Sequence, residues 1–379
     1  MKKFISILLT LTILLSLSSK VFAFDADKAD VILENVGNYL YESVKEPIVG
    51  SVGGEWTVMG LARSNMDIPD EYFENYYQML VKYVKDCDGV IHNKKYTEYS
   101  RLIVVLTSIG KNPKDVAGYN LLTALSDYEK TIWQGINGAI WALIALDSGN
   151  YEIPNNTQVK VQATREMYIN HILKKQTPDG GWALSGDIAD PDVTGMALCA
   201  LSKYQDNEKV KSATEKALDC LSFMQEESGG FSSYDVENSE SSAQVIVALC
   251  ELGISIDDER FVKNGNSILD NLFSFYEKGK GFKHIHESST NLMATEQCFY
   301  ALVALKRASE DKNSLYDMKD AKELNVSCDT IGIKEKNKYV KKMSIKKTGK
   351  TFADIVGYID KTVIDSLASS LKNRLQEQK

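Results

Sequence analysis

The chain has 379 residues, 44% of them hydrophobic, with 44 basic against 52 acidic side chains, six cysteines and six prolines. The length allows one large domain or two ordinary ones around a substantial core, the apolar fraction excludes a wholly disordered chain, and the scarcity of proline argues against a loop-rich all-β protein. A net charge of −8 disfavours a nucleic-acid binder that works by neutralising phosphates, and six cysteines are too few for a disulfide scaffold.

Met1-Lys2-Lys3 is followed by the apolar run Phe4 to Leu17, then by Ser18, Ser19, Lys20 and Val21-Phe22-Ala23. A basic start, a short apolar middle and a small-residue end predict a secretory signal peptide over 1–23, cut between Ala23 and Phe24. The run is shorter than a membrane-spanning helix needs, and no other stretch reaches 18 apolar residues, so no membrane span is expected after cleavage. Cleavage removes three lysines and no acid, taking the charge from −8 to −11. The expected location is outside the cell or on the cell wall, and the Lys-, Ile- and Asn-rich composition suits a Gram-positive bacterium of low GC content.

From residue 24 to about 310 the sequence repeats. Six apolar segments end in leucine at 61, 106, 146, 201, 249 and 305, spaced 45, 40, 55, 48 and 56 residues apart. Each is apolar nearly all round, the pattern of a helix buried on both sides. Amphipathic stretches such as 161–175 and 210–225 read as outer helices with one wet face. A unit of about 50 residues with one outer and one inner helix needs neighbours to bury its core. Six of them can close into a double ring around a central cavity.

Two junctions carry a finer signature: Gln176-Thr-Pro-Asp-Gly180-Gly-Trp182 and Gln225-Glu-Glu-Ser-Gly229-Gly-Phe231. Both read Gln-x-x-x-Gly-x-aromatic just before an inner helix. The glycine permits a left-handed turn, and the ring fills the space between successive repeats. Gly54-Glu-Trp56 and Gly279-Lys-Gly-Phe282 are degenerate copies. The motif resembles the glutamine–tryptophan repeat of the squalene cyclase and protein prenyltransferase β-subunit superfamily. That resemblance implies an all-α fold, an α/α toroid of six inner and six outer helices, and leaves function open, because the same toroid serves enzymes and binding proteins.

Proton-initiated cyclases of this superfamily carry Asp-x-Asp-Asp-Thr at an inner-helix mouth, where the middle Asp protonates an alkene. In Asp187-Ile-Ala-Asp190-Pro-Asp192-Val-Thr194, Asp190 and Asp192 match the first two acids and Thr194 matches the threonine, while Val193 replaces the third acid. The same residues also read as a helix start, with Asp190 as N-cap, Pro191 at the first position and Asp192 at the positive helix end. Both readings stand at this point. For a metal, only the loop pair His284 and His286 is clustered. The Asp-x-Cys ligand pair of the prenyltransferases is absent, so that activity is rejected, and no cofactor is expected.

The candidate cavity residues are the aromatics Tyr96, Tyr99, Trp133, Trp141 and Tyr300 and the polar groups Asn137, Gln244, Asn291 and Glu296, all in or beside the inner helices. The expected function is an exported or cell-surface binding protein, monomeric, holding a small molecule or lipid in or at the mouth of the cavity. Corrinoids, polyprenoids and glycans are the ligand classes considered. The alternatives are a cyclase-like enzyme using Asp192 and a scaffold that docks other proteins.

Beyond 310 the repeat stops. Residues 311–350 read as a linker, with eight lysines against one acid between Lys334 and Lys350. Residues 351–379 include Phe352-Ala-Asp-Ile-Val-Gly357, which is similar to the start of an S-layer homology module and would imply a cell-wall polysaccharide partner. An ordinary terminal helix is the other reading of that segment.

Overall fold

The computed structural model describes residues 25–324, which lie within the first of two compact units, Met1–Ser327. The expected cleavage site Ala23–Phe24, the lysine-rich stretch and the S-layer-like segment fall outside the described residues. Twelve α-helices are found among the described residues. The odd-numbered ones are α1 (Ala26–Ser43), α3 (Asp70–Asp86), α5 (Tyr128–Thr131), α7 (Arg165–Lys174), α9 (Glu208–Met224) and α11 (Ile268–Ser274). The even-numbered ones are α2 (Trp56–Arg63), α4 (Thr97–Ser108), α6 (Ile136–Ser148), α8 (Pro191–Leu201), α10 (Ser239–Glu251) and α12 (Leu292–Ser309).

Every segment that ends in a repeat leucine lies in an even-numbered helix. These helices pack in order around a ring, and α12 returns to touch α2 and α1. The protein is therefore an all-α, α/α toroid, with α2, α4, α6, α8, α10 and α12 inside and the other six outside. Inner helices such as α10 are buried along nearly their whole length, because neighbours enclose them on both flanks and the outer layer covers them. Three two-residue hairpins, β1–β2 (Ser232–Ser233, Val236–Glu237), β3–β4 (Val262–Lys263, Asn266–Ser267) and β5–β6 (Tyr276–Glu277, Gly281–Phe282), sit in the connections.

The outer layer departs from its expected pattern in two places. The stretch 161–164 is extended, with Ala163 N–H bonded to Ser126 O at 2.8 Å, and α7 starts only where Thr164 caps Met167 N–H. The third outer element is broken: a 3₁₀ turn, Leu121–Ser126, precedes the one-turn α5, and Asp127 caps the latter.

The Gln-Gly-aromatic junctions weld the repeats together. Gln176 Nε2 donates to Gly180 O at 2.6 Å and to Ala213 O on the next outer helix at 2.8 Å. Gln225 Nε2 repeats this with Gly229 O and Phe261 O, both at 2.8 Å. Gly180 sits at φ +100°, and a Cβ there would meet Lys216 O at 2.7 Å; Gly229 sits at φ +84°, with Ser267 O at 2.4 Å. Both positions demand glycine on conformational and steric grounds. Trp182, Phe231 and Phe282 are fully buried. Each accepts, at its carbonyl, the N–H of the residue that caps the following inner helix: Asp190, Asn238 and Asn291 at 2.9, 3.2 and 3.1 Å. Phe282 thus occupies the same place in its repeat as Trp182, despite the degenerate motif around it.

The residues after α12 are not a free linker up to 324. Leu315, Tyr316 and Met318 are buried, and Met318 N–H bonds Ser148 O at 2.9 Å. Asp320 pairs with both Arg63 and Arg307, while Glu251 accepts from Ser314 Oγ and Tyr316 N–H. The segment seals the ring at the C-terminal ends of the inner helices, because three apolar side chains and a set of charge-assisted bonds hold it there.

Candidate ligand site at the mouth of the ring

Each inner helix follows an outer one, so the connections into the inner helices gather at one end of the ring. At α8, Asp190 caps the helix, accepting Val193 N–H at 3.1 Å on Oδ1 and Ser233 Oγ–H at 2.6 Å on Oδ2. Asp192 lies in the first turn with Oδ1 buried and without a hydrogen-bond partner. On the adjoining α10, Glu240 is 4% exposed. Its Oε2 meets His284 Nδ1 at 2.8 Å, but its Oε1 is buried and unpartnered. Ser239 anchors the His284 loop through His284 O and Lys283 O, at 3.1 and 2.7 Å.

Burial pushes the Asp192 carboxyl up to about 7, with the neighbouring charges of Asp190 and then Glu240 acting the same way, while Ser241 and His284 oppose them. The hydrogen bond to Glu240 raises His284 above the ordinary imidazole value against the cost of burial. At neutral pH, Asp192 therefore divides between acid and carboxylate, beside an imidazole whose protonated form is favoured by its bond to Glu240. The arrangement can accept a donor group or exchange a proton. It is poorly suited to protonating an alkene, which demands an acid stronger than an ordinary carboxyl.

Below the mouth, aromatic rings meet across the lumen. Trp56 of α2 and Trp141 of α6 lie 5.1 Å apart by ring centroid although α4 separates their helices around the ring. Tyr300 stands 6.3 Å from Trp56, and Tyr316 stands edge-on to Trp141 at 6.2 Å. Gln244 Nε2 bonds Gln297 Oε1 at 2.8 Å and also donates to the Tyr300 hydroxyl. Trp56 and Trp141 keep partial exposure and form a floor under the mouth.

Of the residues singled out from sequence, Asp190, Asp192 and His284 gather at the mouth, and Trp141, Gln244 and Tyr300 gather at the floor. Asn137, in the first turn of α6, has a buried and unpartnered Oδ1. Others go elsewhere. Tyr96 and Tyr99 pack on each other at 5.2 Å, and the Tyr99 hydroxyl accepts Ile91 N–H, bracing the loop before α4. Trp133 is 59% exposed on the connection before α6, with Lys94 over its ring. Asn291 is exposed and caps α12 through Ala294 N–H at 2.8 Å. Glu296 grips the start of α2 instead of facing the lumen. His286 stacks on Phe275 at 4.1 Å, apart from the Glu240 contact of His284, and among the described residues no group of three or more His, Cys, Asp or Glu is arranged to hold a metal ion.

Sequence reasoning missed Glu240. Its only local signal is an acid in the first turn after the N-cap Asn238, the same signal Asp192 gives after Asp190.

Residues 120–258 match the family model for the prenyltransferase alpha-alpha toroid domain. The match is to the toroid of the squalene cyclase and prenyltransferase superfamily. It runs from the third outer element through α10 and so contains both Gln-Gly-aromatic junctions as well as Asp192 and Glu240. No curated protein matches the chain. No helix among the described residues is long and apolar enough to cross a membrane.

Around the mouth, each of the six repeats exposes a large apolar side chain: Ile48, Val90, Trp133, Ile188, Tyr234 and Met293, at 55, 51, 59, 81, 80 and 44%. The mouth is thus a polar, mainly acidic cup inside an apolar rim.

Proposed function

We propose that the protein is an exported, cell-surface binding protein that holds its ligand at the mouth of the toroid. The observation that carries this reading is the set of buried, unpartnered oxygens at the inner-helix starts: Asn137 Oδ1, Asp192 Oδ1 and Glu240 Oε1. Buried polar atoms in folded proteins are normally satisfied, and three left open around one mouth fit a ligand that supplies the missing donors. The floor of Trp56 and Trp141 offers a flat apolar surface beneath them. It also occupies the lumen, which favours a polar ligand such as a corrinoid or glycan over a polyprenoid threaded through the ring.

A second reading is an enzyme with Asp192 as general acid–base. A carboxyl raised to about 7 suits proton exchange at neutral pH, so the reaction would be a proton transfer to oxygen or nitrogen rather than to an alkene. Native mass spectrometry of residues 24–379, after exposure to corrinoids, cell-wall glycans and a polyprenoid extract, tests the binding reading. A corrinoid or glycan retained one-to-one by the protein, and lost on Trp141→Ala, supports it. Retention of a polyprenoid alone, or of nothing, overturns it, and the apolar rim then directs the search to a protein partner.

A further inference from the structure

We infer that the Asp192–Glu240 pocket takes a primary ammonium group, carried on a ligand whose apolar part lies against the neighbouring rim. This rests on the binding reading of the mouth and adds an alkylammonium class of ligand to the corrinoids and glycans considered there. Glu240 is more than nine-tenths buried, and yet Oε1 has no partner. Asp192 Oδ1, on the adjoining helix, is likewise unpartnered, and the fully buried Ser241 hydroxyl lies beside the Asp192 carboxyl. Leaving a buried carboxylate oxygen open is costly, so the pocket is built for hydrogen-bond donors.

Charge decides which donors. His284 balances Glu240, but Asp190 is held only by the neutral Val193 N–H and Ser233 hydroxyl, and Asp192 has no cation at hydrogen-bond distance. The pocket therefore keeps negative charge that a neutral hydroxyl would leave uncompensated. Shape separates the two common organic cations. A guanidinium seeks both oxygens of one carboxylate in its plane, whereas Glu240 has one oxygen committed to His284 and only the other open. Single open oxygens on two helices, with Ser241 beside them, fit the compact three-donor head of an ammonium.

The loops leading into α8 and α10 flank this pocket and expose Leu184, Ile188, Tyr234 and Val236. Apolar side chains beside a cation pocket favour an alkyl chain next to the ammonium. A free alkylamine and a lysine side chain between apolar neighbours share that chemistry.

Isothermal titration of the full chain distinguishes the possibilities with three probes: hexylammonium, hexanol, and an acetylated apolar peptide with one central lysine. The expectation is that hexylammonium or the peptide binds at least about tenfold more tightly than hexanol, and that Asp192→Asn and Glu240→Gln each erase the difference. The preferred cationic probe identifies the source, free amine or lysine side chain. Binding should also strengthen from pH 6 to pH 8. Asp192, which faces Asp190, Glu240, Ser241 and His284, passes from acid to carboxylate in that range. Equal binding of hexanol and hexylammonium overturns the ammonium inference and leaves the mouth reading standing. No binding of either cationic probe also overturns it; the mouth reading falls as well only if native mass spectrometry retains no corrinoid or glycan.

Discussion

Gly53 donates its backbone N–H to Glu296 Oε1 at 2.9 Å, joining the start of the first inner helix to the last. The Thr57 hydroxyl donates to the same oxygen. These contacts fasten the ring where its two ends meet, and they are made by a carboxyl that is only 1% exposed. Burial pushes Glu296 up to about 7, while its hydrogen bonds to Thr57 and Gly53 pull the other way. Its Oε2 has no partner.

The pH dependence of stability follows from this. A carboxyl raised on folding binds its proton more tightly in the native state, so its contribution is complete below the unfolded value near 4.5 and is lost as pH rises toward 7. Asp192, raised from 3.8 to about 7, acts in the same direction. Denaturant unfolding from pH 4.5 to 7.5 should show stability falling with pH, by on the order of 3 kcal/mol for the Glu296 part. Glu296→Gln should flatten that slope, and Glu296→Ala, which removes the hydrogen bonds together with the titrating group, should also flatten it while costing about 2 kcal/mol at pH 4.5. A slope unchanged in Glu296→Gln would show that this carboxyl is not the group responsible.

Asp320 holds two buried guanidiniums, Arg63 and Arg307, each about 2% exposed. Asp320→Ala should cost about 2 kcal/mol, since both arginines also bond backbone carbonyls and lose only their charged partner. Release of the 311–324 segment should then raise the solvent exposure of Trp141, which is read by a red shift and stronger acrylamide quenching of tryptophan emission.

Trp182 fills the joint between two repeats, and its indole N–H bonds Ile172 O at 2.8 Å. Trp182→Ala should destabilise the protein by about 3–5 kcal/mol. Gln176→Ala, which strips one donor from both Gly180 O and Ala213 O, should cost about 2 kcal/mol. Thermal unfolding of the two variants and their double mutant should give a sum larger or smaller than additive, because both act on the same joint.

Asp190 and Asp192 separate by experiment. Asp190→Ala removes a helix cap and should cost about 1 kcal/mol. Asp192→Asn should leave stability at pH 7 unchanged or slightly raised, since it removes a buried carboxyl from beside two other acids. A large loss in Asp192→Asn would show that its charge is structural.

The inner helices were legible because burial on both flanks leaves an all-apolar stripe that no other element of this length shares. The repeat joints were legible for a similar reason. Gln176, Gly180 and Trp182 act within seven residues, so their geometry is written locally. The short third outer element was harder to read, because a capping Asp127 and a 3₁₀ turn carry little hydrophobic pattern. The 311–324 segment was misread as the start of a linker: three apolar residues among charges do not announce a core contact.

The sequence by itself determined that the chain is an α/α toroid of six repeats, because period, burial pattern and turn chemistry are all short-range properties. Only the tertiary structure decided what the mouth contains. Asp192, Glu240 and His284 lie 48 and 44 residues apart in sequence, and nothing in the neighbourhood of any one of them names the others. Their meeting depends on how far each repeat rotates around the ring and on which face of its helix each side chain occupies. The same closure brings Trp56 against Trp141 and Gly53 against Glu296, contacts between groups whose attraction is realised only once the last repeat has returned to the first.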